Sequence, residues 1–169
     1  MSKSILAHYS PEDVNVIIAG LIDLEGFTEG SFVSIRRDKP LFISRESADG
    51  QVSRTRVGGN TYTVELDLMS TSESNEMLTR LSLIDHSTHV VKFPLYIKDS
   101  LGSTLLFSTT AWIEQHPDTA FSTTVTSRKW MIKCSQATLH IGGNENPSSR
   151  MEDLTNGILG LAPSFRSIF

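Results

Sequence analysis

The feature that most constrains the fold is a strict alternation of apolar and polar residues over positions 61–68. Tyr62, Val64, Leu66 and Leu68 fall on one side, while the intervening positions carry Thr61, Thr63, Glu65 and Asp67. Successive side chains of a strand point to opposite faces, so this period of two predicts a strand with one buried and one solvated face. Such a strand is typical of an antiparallel sheet.

Further segments rich in β-branched and aromatic residues predict more strands, at 14–20, 32–36, 90–99, 105–113, 120–126 and 129–141. One helix is predicted at about 72–85, because Met77, Leu81 and Ile84 recur at helical spacing with Leu78 beside them. Hydroxyl and acidic residues at 70–76 suit its first turn. The predicted fold is mainly β: an antiparallel β-sandwich or half-barrel with one flanking α-helix, a long β-ribbon loop and a C-terminal arm.

The ribbon loop is predicted at residues 37–60, where the alternating pattern stops. Segments 41–44 and 52–57 could pair there as a β-ribbon. A compact domain rarely keeps so long a connection without a use for it. Two interpretations stay open, a solvated hairpin and an interaction loop. The interaction loop would use the charged residues Arg36, Arg37, Asp38, Lys39, Arg45, Glu46, Asp49, Arg54 and Arg56.

A change of composition at Gly142 predicts a boundary between a β domain at 1–142 and a linker with a C-terminal arm at 143–169. The arm holds too many apolar residues for a purely solvated tail. It could fold back on its own domain or dock on a neighbouring molecule. The contacts expected of it involve Leu154, Ile158, Leu161, Phe165 and Phe169.

Charge and cysteine content exclude several classes of function. A formal net charge of −4 and a pI near 5.7 argue against a nucleic-acid or polybasic membrane surface. The single cysteine, Cys134, excludes an internal disulfide framework and is expected to be a buried, inert thiol. The chain has no apolar run long enough to span a membrane and no apolar signal-peptide core at its start, so we expect folding in a cytoplasm.

No motif predicts an enzyme, a cofactor or a metal. His86 and His89 with Asp85 could in principle share a metal, but the pattern offers no third firm ligand and is more typical of helix-end histidines. Glu65 and Asp67 could flank a glycosidic bond, but they fit an exposed stripe better.

The two tryptophans suggest a separate class of protein. Trp112 and Trp130 could form a sugar platform, although their predicted strands favour a core position over an exposed one. An exposed platform would indicate a β-sandwich carbohydrate-binding module.

The order of these segments resembles the small tail tube proteins of contractile-tailed bacteriophages. The resemblance covers about residues 9–141. It is carried by 9–20 (YSPEDVNVIIAG), 26–35 (GFTEGSFVSI), the triplet at 48–50, the helix opening at 71–75, 93–99 (FPLYIKD), 111–113 and Trp130. The segment from 142 onward is not part of the family pattern.

The resemblance implies a structural virion protein and no enzyme, metal or cofactor. Six subunits would form a ring, stacked rings would form the tail tube, and DNA would leave through the lumen without specific binding. Implied partners are the chain itself, the sheath, the baseplate hub, the tape-measure and the terminator proteins, in a virion tail assembled in the host cytoplasm. Related tubes of secretion systems and contractile bacteriocins are the alternative.

The resemblance also assigns roles to residues. The loop at 36–60 would contact the adjacent ring. Since a lumen should repel phosphate, we expect its lining to be the acidic stripe on 61–68 with two residues of the first strand, namely Asp13, Asn15, Thr63, Glu65 and Asp67.

Overall fold

The computed structural model describes residues 9–143. A short 3-10 turn at Pro11–Asp13 precedes nine strands and one helix. In chain order these are β1 (Val14–Ile18), β2 (Ile22–Asp23), β3 (Val33–Arg37), β4 (Phe42–Glu46), β5 (Val52–Arg56), β6 (Tyr62–Met69), α1 (Ser74–Thr88), β7 (Phe93–Asp99), β8 (Leu105–Gln115) and β9 (Ser127–His140).

Seven strands form one antiparallel sheet in the order β2-β1-β7-β8-β9-β6-β3, and β4 pairs with β5 in a separate ribbon. The sheet is curled, because Ile35 of the edge strand β3 lines one depression together with Val14 of β1 and Ile97 of β7. Val16 of β1 and Tyr62 of β6 belong to the same buried cluster. The mainly β half-barrel with one helix that the sequence predicts is therefore confirmed.

The prediction that the apolar face of β6 is buried is confirmed. Tyr62, Val64, Leu66 and Leu68 are all buried, and β9 pairs along the whole strand. The prediction of a solvated outer face is wrong at one position, Thr63, which is only 2% exposed. Its neighbours across the sheet are Arg36 on β3 and Lys133 on β9, whose long side chains flank the shorter threonine.

The prediction of a strand at 120–126 is wrong. Residues 116–126 form an irregular connection between β8 and β9, in which Phe121 is 92% exposed. Strand-forming residues need a partner strand to bond, and none of the described strands pairs with this segment.

The helix is confirmed, but its buried face differs from the predicted one. Asn75, Leu78 and Ser82 are buried, whereas Met77 and Ile84 are 39% and 51% exposed. The buried face includes polar residues whose hydrogen bonds are made inside the protein. The Ser82 hydroxyl donates to the carbonyl of Thr79 at 2.8 Å. Of the predicted apolar positions, Leu78 is buried and Leu81 packs against the core, so apolar spacing alone finds part of the buried face and misses Asn75 and Ser82.

The hydroxyls before α1 join it to another segment. The Ser72 and Ser74 hydroxyls both donate to the carbonyl of Glu25, at 2.5 and 3.0 Å. Gly26 has φ +77°, and a Cβ there would lie 2.7 Å from the Cβ of Ser72. Only glycine fits this turn, which holds the start of α1 against the connection after β2.

Candidate protein–protein interface

Arg37 joins the ribbon β4–β5 to the sheet. Its guanidinium donates to the carbonyl of Gly59 and to Oδ1 of Asn60, each at 2.9 Å, and its Nε donates to the carbonyl of Lys39 at 3.0 Å. It also donates to the Tyr62 hydroxyl at 3.3 Å. Arg37 is thus used inside the subunit, where it fixes the angle at which the ribbon leaves the sheet.

Asp38 lies next to Arg37 at the base of the ribbon, where the ribbon leaves the sheet. Its Oδ1 accepts a hydrogen bond from Thr63 Oγ1 at 2.6 Å, and its Oδ2 lies 3.3 Å from Nζ of Lys133. Partial burial opposes ionisation, but the hydrogen bonds from Thr63 and Lys133 hold the pKa of Asp38 below its ordinary value of 3.8. The carboxylate therefore stays charged and ties β3 to β6 and β9.

Hydrogen bonds between neighbouring residues form the turn at the tip of the ribbon. The Ser47 hydroxyl donates to the Asp49 carboxylate, and the Gly50 N–H donates to the carbonyl of Ser47 at 2.9 Å. The hydrogen bond from Ser47, with those from the backbone N–H groups of Asp49 and Gln51, lowers the pKa of Asp49. Asp49 thus shapes the turn, as Arg37 and Asp38 shape the base.

The ribbon strands themselves are fully solvated. Every residue of β4 and β5 is exposed, including Phe42, Ile43 and Val52, which are 43%, 48% and 68% exposed. The guanidinium of Arg54 lies 4.1 Å from the centre of the Phe42 ring. An isolated two-stranded ribbon has marginal stability in water, and this ribbon displays apolar side chains on both of its faces.

Alternation along the strands divides the remaining ribbon charges between two faces. Phe42 pairs with Arg56 and Ser44 pairs with Arg54, so both arginines lie on the face that carries Phe42. Arg45 pairs with Ser53 on the opposite face. Of the other predicted loop residues, Lys39 and Glu46 are exposed, and Arg36 lies across from Thr63 on the outer face of the sheet.

The predicted acidic stripe is balanced by lysine. Lys129 Nζ lies 3.7 Å from Oε2 of Glu65 and 3.8 Å from Oδ2 of Asp67. Oδ1 of Asp67 is buried and accepts no hydrogen bond within the part of the chain that the structure describes. The outer face of β6 is therefore mixed in charge, and the sequence pattern missed the basic partner because it comes from β9.

The first-strand residues lie apart from that stripe. Asn15 pairs with Lys98 on β7, and the strands β7, β8 and β9 separate β1 from β6. The Asn15 amide donates to the carbonyl of Asp13 at 3.2 Å and to the Ser100 hydroxyl at 2.9 Å. The structure does not bring Asp13 and Asn15 together with Thr63, Glu65 and Asp67.

An acidic groove opens beside the start of α1. It has a volume of about 330 Å³ and is lined by apolar Ile22 and Met77 with the acidic residues Asp23, Glu25 and Glu73. Sequence analysis missed this groove, because its two sides are about 50 positions apart and are joined by tertiary contacts such as the hydrogen bonds to Glu25.

Residues 9–143 hold no group of three or more His, Cys, Asp or Glu side chains arranged to bind a metal. His86 and His89 line an open depression with Asp85 at the end of α1. The Asp85 carboxylate accepts the N–H of Val91 at 3.0 Å, and His89 ends the helix in the left-handed conformation. Their positions fit helix-end residues. No described helix is long and apolar enough to cross a membrane.

The core positions expected for the tryptophans and the cysteine are confirmed for two of the three residues. Trp130 is 2% exposed and donates its indole N–H to Asn75 at 2.9 Å. Burial raises the pKa of Cys134 to about 12, as expected of an inert thiol. Trp112 is the exception: it is half-buried on the outer face and donates to Glu114 at 2.7 Å.

The expected contacts of the C-terminal arm lie outside the described residues. They concern Leu154, Ile158, Leu161, Phe165 and Phe169, and the boundary at 142 stays a prediction.

In the described part, the distinctive features are an exposed ribbon, a mixed-charge sheet face and an acidic groove. They define a mainly β protein whose surfaces are suited to contacts with other protein chains.

Comparison with known proteins gives the family. No family model matches the chain. The chain is 32% identical over 152 residues to the structural protein ORF10 of Pseudomonas phage KPP10, an alignment that covers 86% of this chain and 88% of that protein. The chain belongs to the family of this phage structural protein.

Solved structures give two weaker likenesses. The tube-terminating cap of the anti-feeding prophage has a TM-score of 0.48 at 11% identity, covering 83% of this chain and 95% of that chain. The sheath/tube terminator of the extracellular contractile injection system PVC, in its extended state, has a TM-score of 0.44 at 9% identity, covering 82% and 100%. Both scores lie below 0.5, so neither structure bears on the function of this chain.

Proposed function

We propose that the chain is a structural virion protein without enzymatic activity, and specifically the tail tube subunit of a contractile phage tail. It forms hexameric rings that stack into a tube, and DNA passes through the lumen during ejection. The 32% identity to a phage structural protein over most of both chains supports the structural role. Its partners are other copies of itself, the sheath, the baseplate hub, the tape-measure and the terminator proteins.

The observation that carries the stacking role is the exposed ribbon. All ten residues of β4 and β5 are solvated, although the ribbon displays aromatic and β-branched side chains. A contact with the next ring would bury these side chains and stabilise the marginal ribbon. The mixed charges of the ribbon suit a contact of fixed register between identical rings.

The sheet edges support ring formation. β3 is the last strand of the sheet, and no strand among the described residues pairs with its far side. Unpaired edges favour association with further strands, and closure into a barrel removes them.

The dimensions of such a barrel suit DNA. If each of six subunits contributes four strands, the barrel has a circumference of roughly 160 Å, and its lumen has a diameter on the order of 40 Å once the inward side chains are subtracted. Duplex DNA passes through such an opening.

Electron microscopy and light scattering of the purified chain test this proposal. We expect hollow tubes of uniform width that are built from rings of six subunits. Deletion of residues 41–56 should leave a folded protein that forms rings without tubes, because the base bonds of Arg37 and Asp38 lie outside the deletion. Normal tubes from this variant would contradict the stacking role, and a monomer at every concentration of the intact chain would contradict the tube role.

The alternative of a carbohydrate-binding module predicts a different result. Such a module is monomeric and changes its tryptophan fluorescence with a sugar. Only Trp112 has a partly exposed ring, and its N–H is already bonded to Glu114. A sugar screen by fluorescence on the same preparation therefore separates the two functions.

A further inference from the structure

The direction of the strands places the ribbon and the acidic groove at opposite ends of the sheet. The ribbon leaves the sheet after Arg37 and returns before Tyr62, which pair with each other. At the far end of β6, the Met69 N–H donates to the carbonyl of Gly26 at 2.8 Å, and Gly26 lines the groove. The eight residues of β6 separate the two features by about 26 Å.

The two features also differ in charge. Residues 36–60 carry six basic and three acidic residues, a net charge of +3. The groove is lined by three acidic residues, Asp23, Glu25 and Glu73, and by no basic residue, so its lining carries a net charge of −3. A groove and a ribbon of opposite charge at opposite ends of one molecule are complementary between successive copies.

Both surfaces also carry apolar side chains. The ribbon face with Arg54 and Arg56 also holds Phe42, whose ring one arginine covers. The groove pairs its carboxylates with apolar Ile22 and Met77. An apolar contact flanked by arginine–carboxylate pairs is the composition that protein interfaces favour.

The groove is held in place before any partner arrives. Glu25 accepts hydrogen bonds from Ser72 and Ser74, and its own N–H donates to Ser74 Oγ at 2.9 Å. A surface that is already ordered loses little conformational entropy when it binds. The floor of the groove thus has the rigidity expected of the receiving half of a contact.

We propose that the ribbon face with Phe42, Arg54 and Arg56 docks into the groove of Asp23, Glu25 and Glu73 on a second copy of this chain. The contact is head to tail, and because its two halves differ it repeats without closing along the axis. This inference rests on the proposed function, since it names the two surfaces that join successive rings.

Charge reversal tests the pairing. We expect Arg54→Glu/Arg56→Glu and Asp23→Lys/Glu25→Lys each to lower the pelleted, tube-forming fraction at least about tenfold, because like charges then face each other. A chain with all four substitutions should recover most of the wild-type fraction, since the charges are again opposite. Failure of the four-substitution chain to recover, with its fold intact by circular dichroism, would overturn the pairing.

Two charge-reversal controls lie outside both surfaces. Lys92→Glu reverses an exposed base between α1 and β7, and Glu29→Lys reverses an exposed acid that does not line the groove. We expect both variants to assemble like the wild type. An equal loss of tubes in these controls would show a general charge effect and overturn the proposal.

Cross-linking separates this inference from the proposed function. A photoreactive amino acid at Val52, on the same ribbon face, should link to residues 21–26 or 72–77 of another copy. Tubes that form normally but link elsewhere, for instance to residues 144–169, would overturn the docking site and leave the tube role standing. The absence of any assembly of the intact chain would instead contradict the tube role, and this inference with it.

Discussion

Asn75 satisfies three polar groups at the start of α1. Its Oδ1 accepts the indole N–H of Trp130, and its Nδ2 donates to the carbonyls of Met69 and Ser72 at 2.8 and 2.9 Å. The residue is 4% exposed. It joins the end of β6, the helix and the core tryptophan of β9, so one side chain positions the helix on the sheet.

Replacing Asn75 should be among the most destabilising single changes. We expect Asn75→Ala to lower the free energy of unfolding by about 3 kcal/mol, because it leaves buried donors and acceptors without partners. Urea unfolding followed by Trp130 fluorescence measures it. Ser87→Ala is the control, since this exposed helix hydroxyl donates only to a neighbouring carbonyl. Equal effects of the two variants would contradict the role of Asn75.

Cys134 should be chemically silent in the folded protein. Its thiol is buried, and its pKa of about 12 leaves almost no thiolate near neutral pH. We expect a thiol reagent at pH 8 to label it only at the rate of unfolding. The measurement is the release of the chromogenic thiolate from an aromatic disulfide reagent, with and without urea. Rapid labelling of the native chain would be the contrary result.

Among the elements, the base of the ribbon should respond to acid. The hydrogen bonds from Thr63 and Lys133 lower the pKa of Asp38 in the folded state, so its stabilising effect is full above the ordinary value of 3.8. It is lost as the pH falls through the lowered value. We expect the wild type to lose stability below about pH 4, and Asp38→Asn to start less stable at pH 7 and lose less.

Thermal unfolding from pH 7 down to pH 2 checks this expectation. Asp118→Asn is the matched control, because Asp118 is an exposed aspartate in the irregular connection between β8 and β9, away from the ribbon base. A wild-type profile parallel to that of Asp38→Asn would show that Asp38 does not hold the ribbon base.

Most strands of the sheet could be predicted because they alternate or are continuously apolar, and the ribbon because charged and turn residues interrupt that pattern. The two-residue strand β2 was not predicted, because it is too short to show a pattern. The polar part of the buried face of α1 could not be predicted either, since it depends on Asn75, whose burial is favourable only with Trp130 opposite. The segment 120–126 has strand-forming residues, but strand formation depends on a partner that lies elsewhere in the chain. The local sequence pattern thus predicts most strands and the helix. The polar residues buried on α1 and the irregular segment at 120–126 depend on contacts with distant parts of the chain.

At the scale of the whole molecule, the proposed lumen should be sensitive to charge. Glu65 lies on the outer sheet face beside Lys129. We expect phage with Glu65→Lys to eject DNA more slowly than phage with Glu65→Gln, because only lysine adds a charge that attracts phosphate. Ejection followed by a DNA-binding dye measures the rates. Equal rates would contradict the assignment of this face to the lumen.

The acidic groove could not be predicted for a related reason. Its acidic residues come from two segments about 50 positions apart, and tertiary contacts such as the serine bonds to Glu25 bring them together. The lysine beside Glu65 was missed likewise, because the register of β9 against β6 decides which charges are neighbours.

The placement of ribbon and groove gives the molecule a polarity. Copies joined through these surfaces would form a filament with two chemically different tips, one showing basic hairpins and the other acidic clefts. Growth at the two tips would then proceed at different rates, and a protein that halts growth would have to imitate only one of the two surfaces.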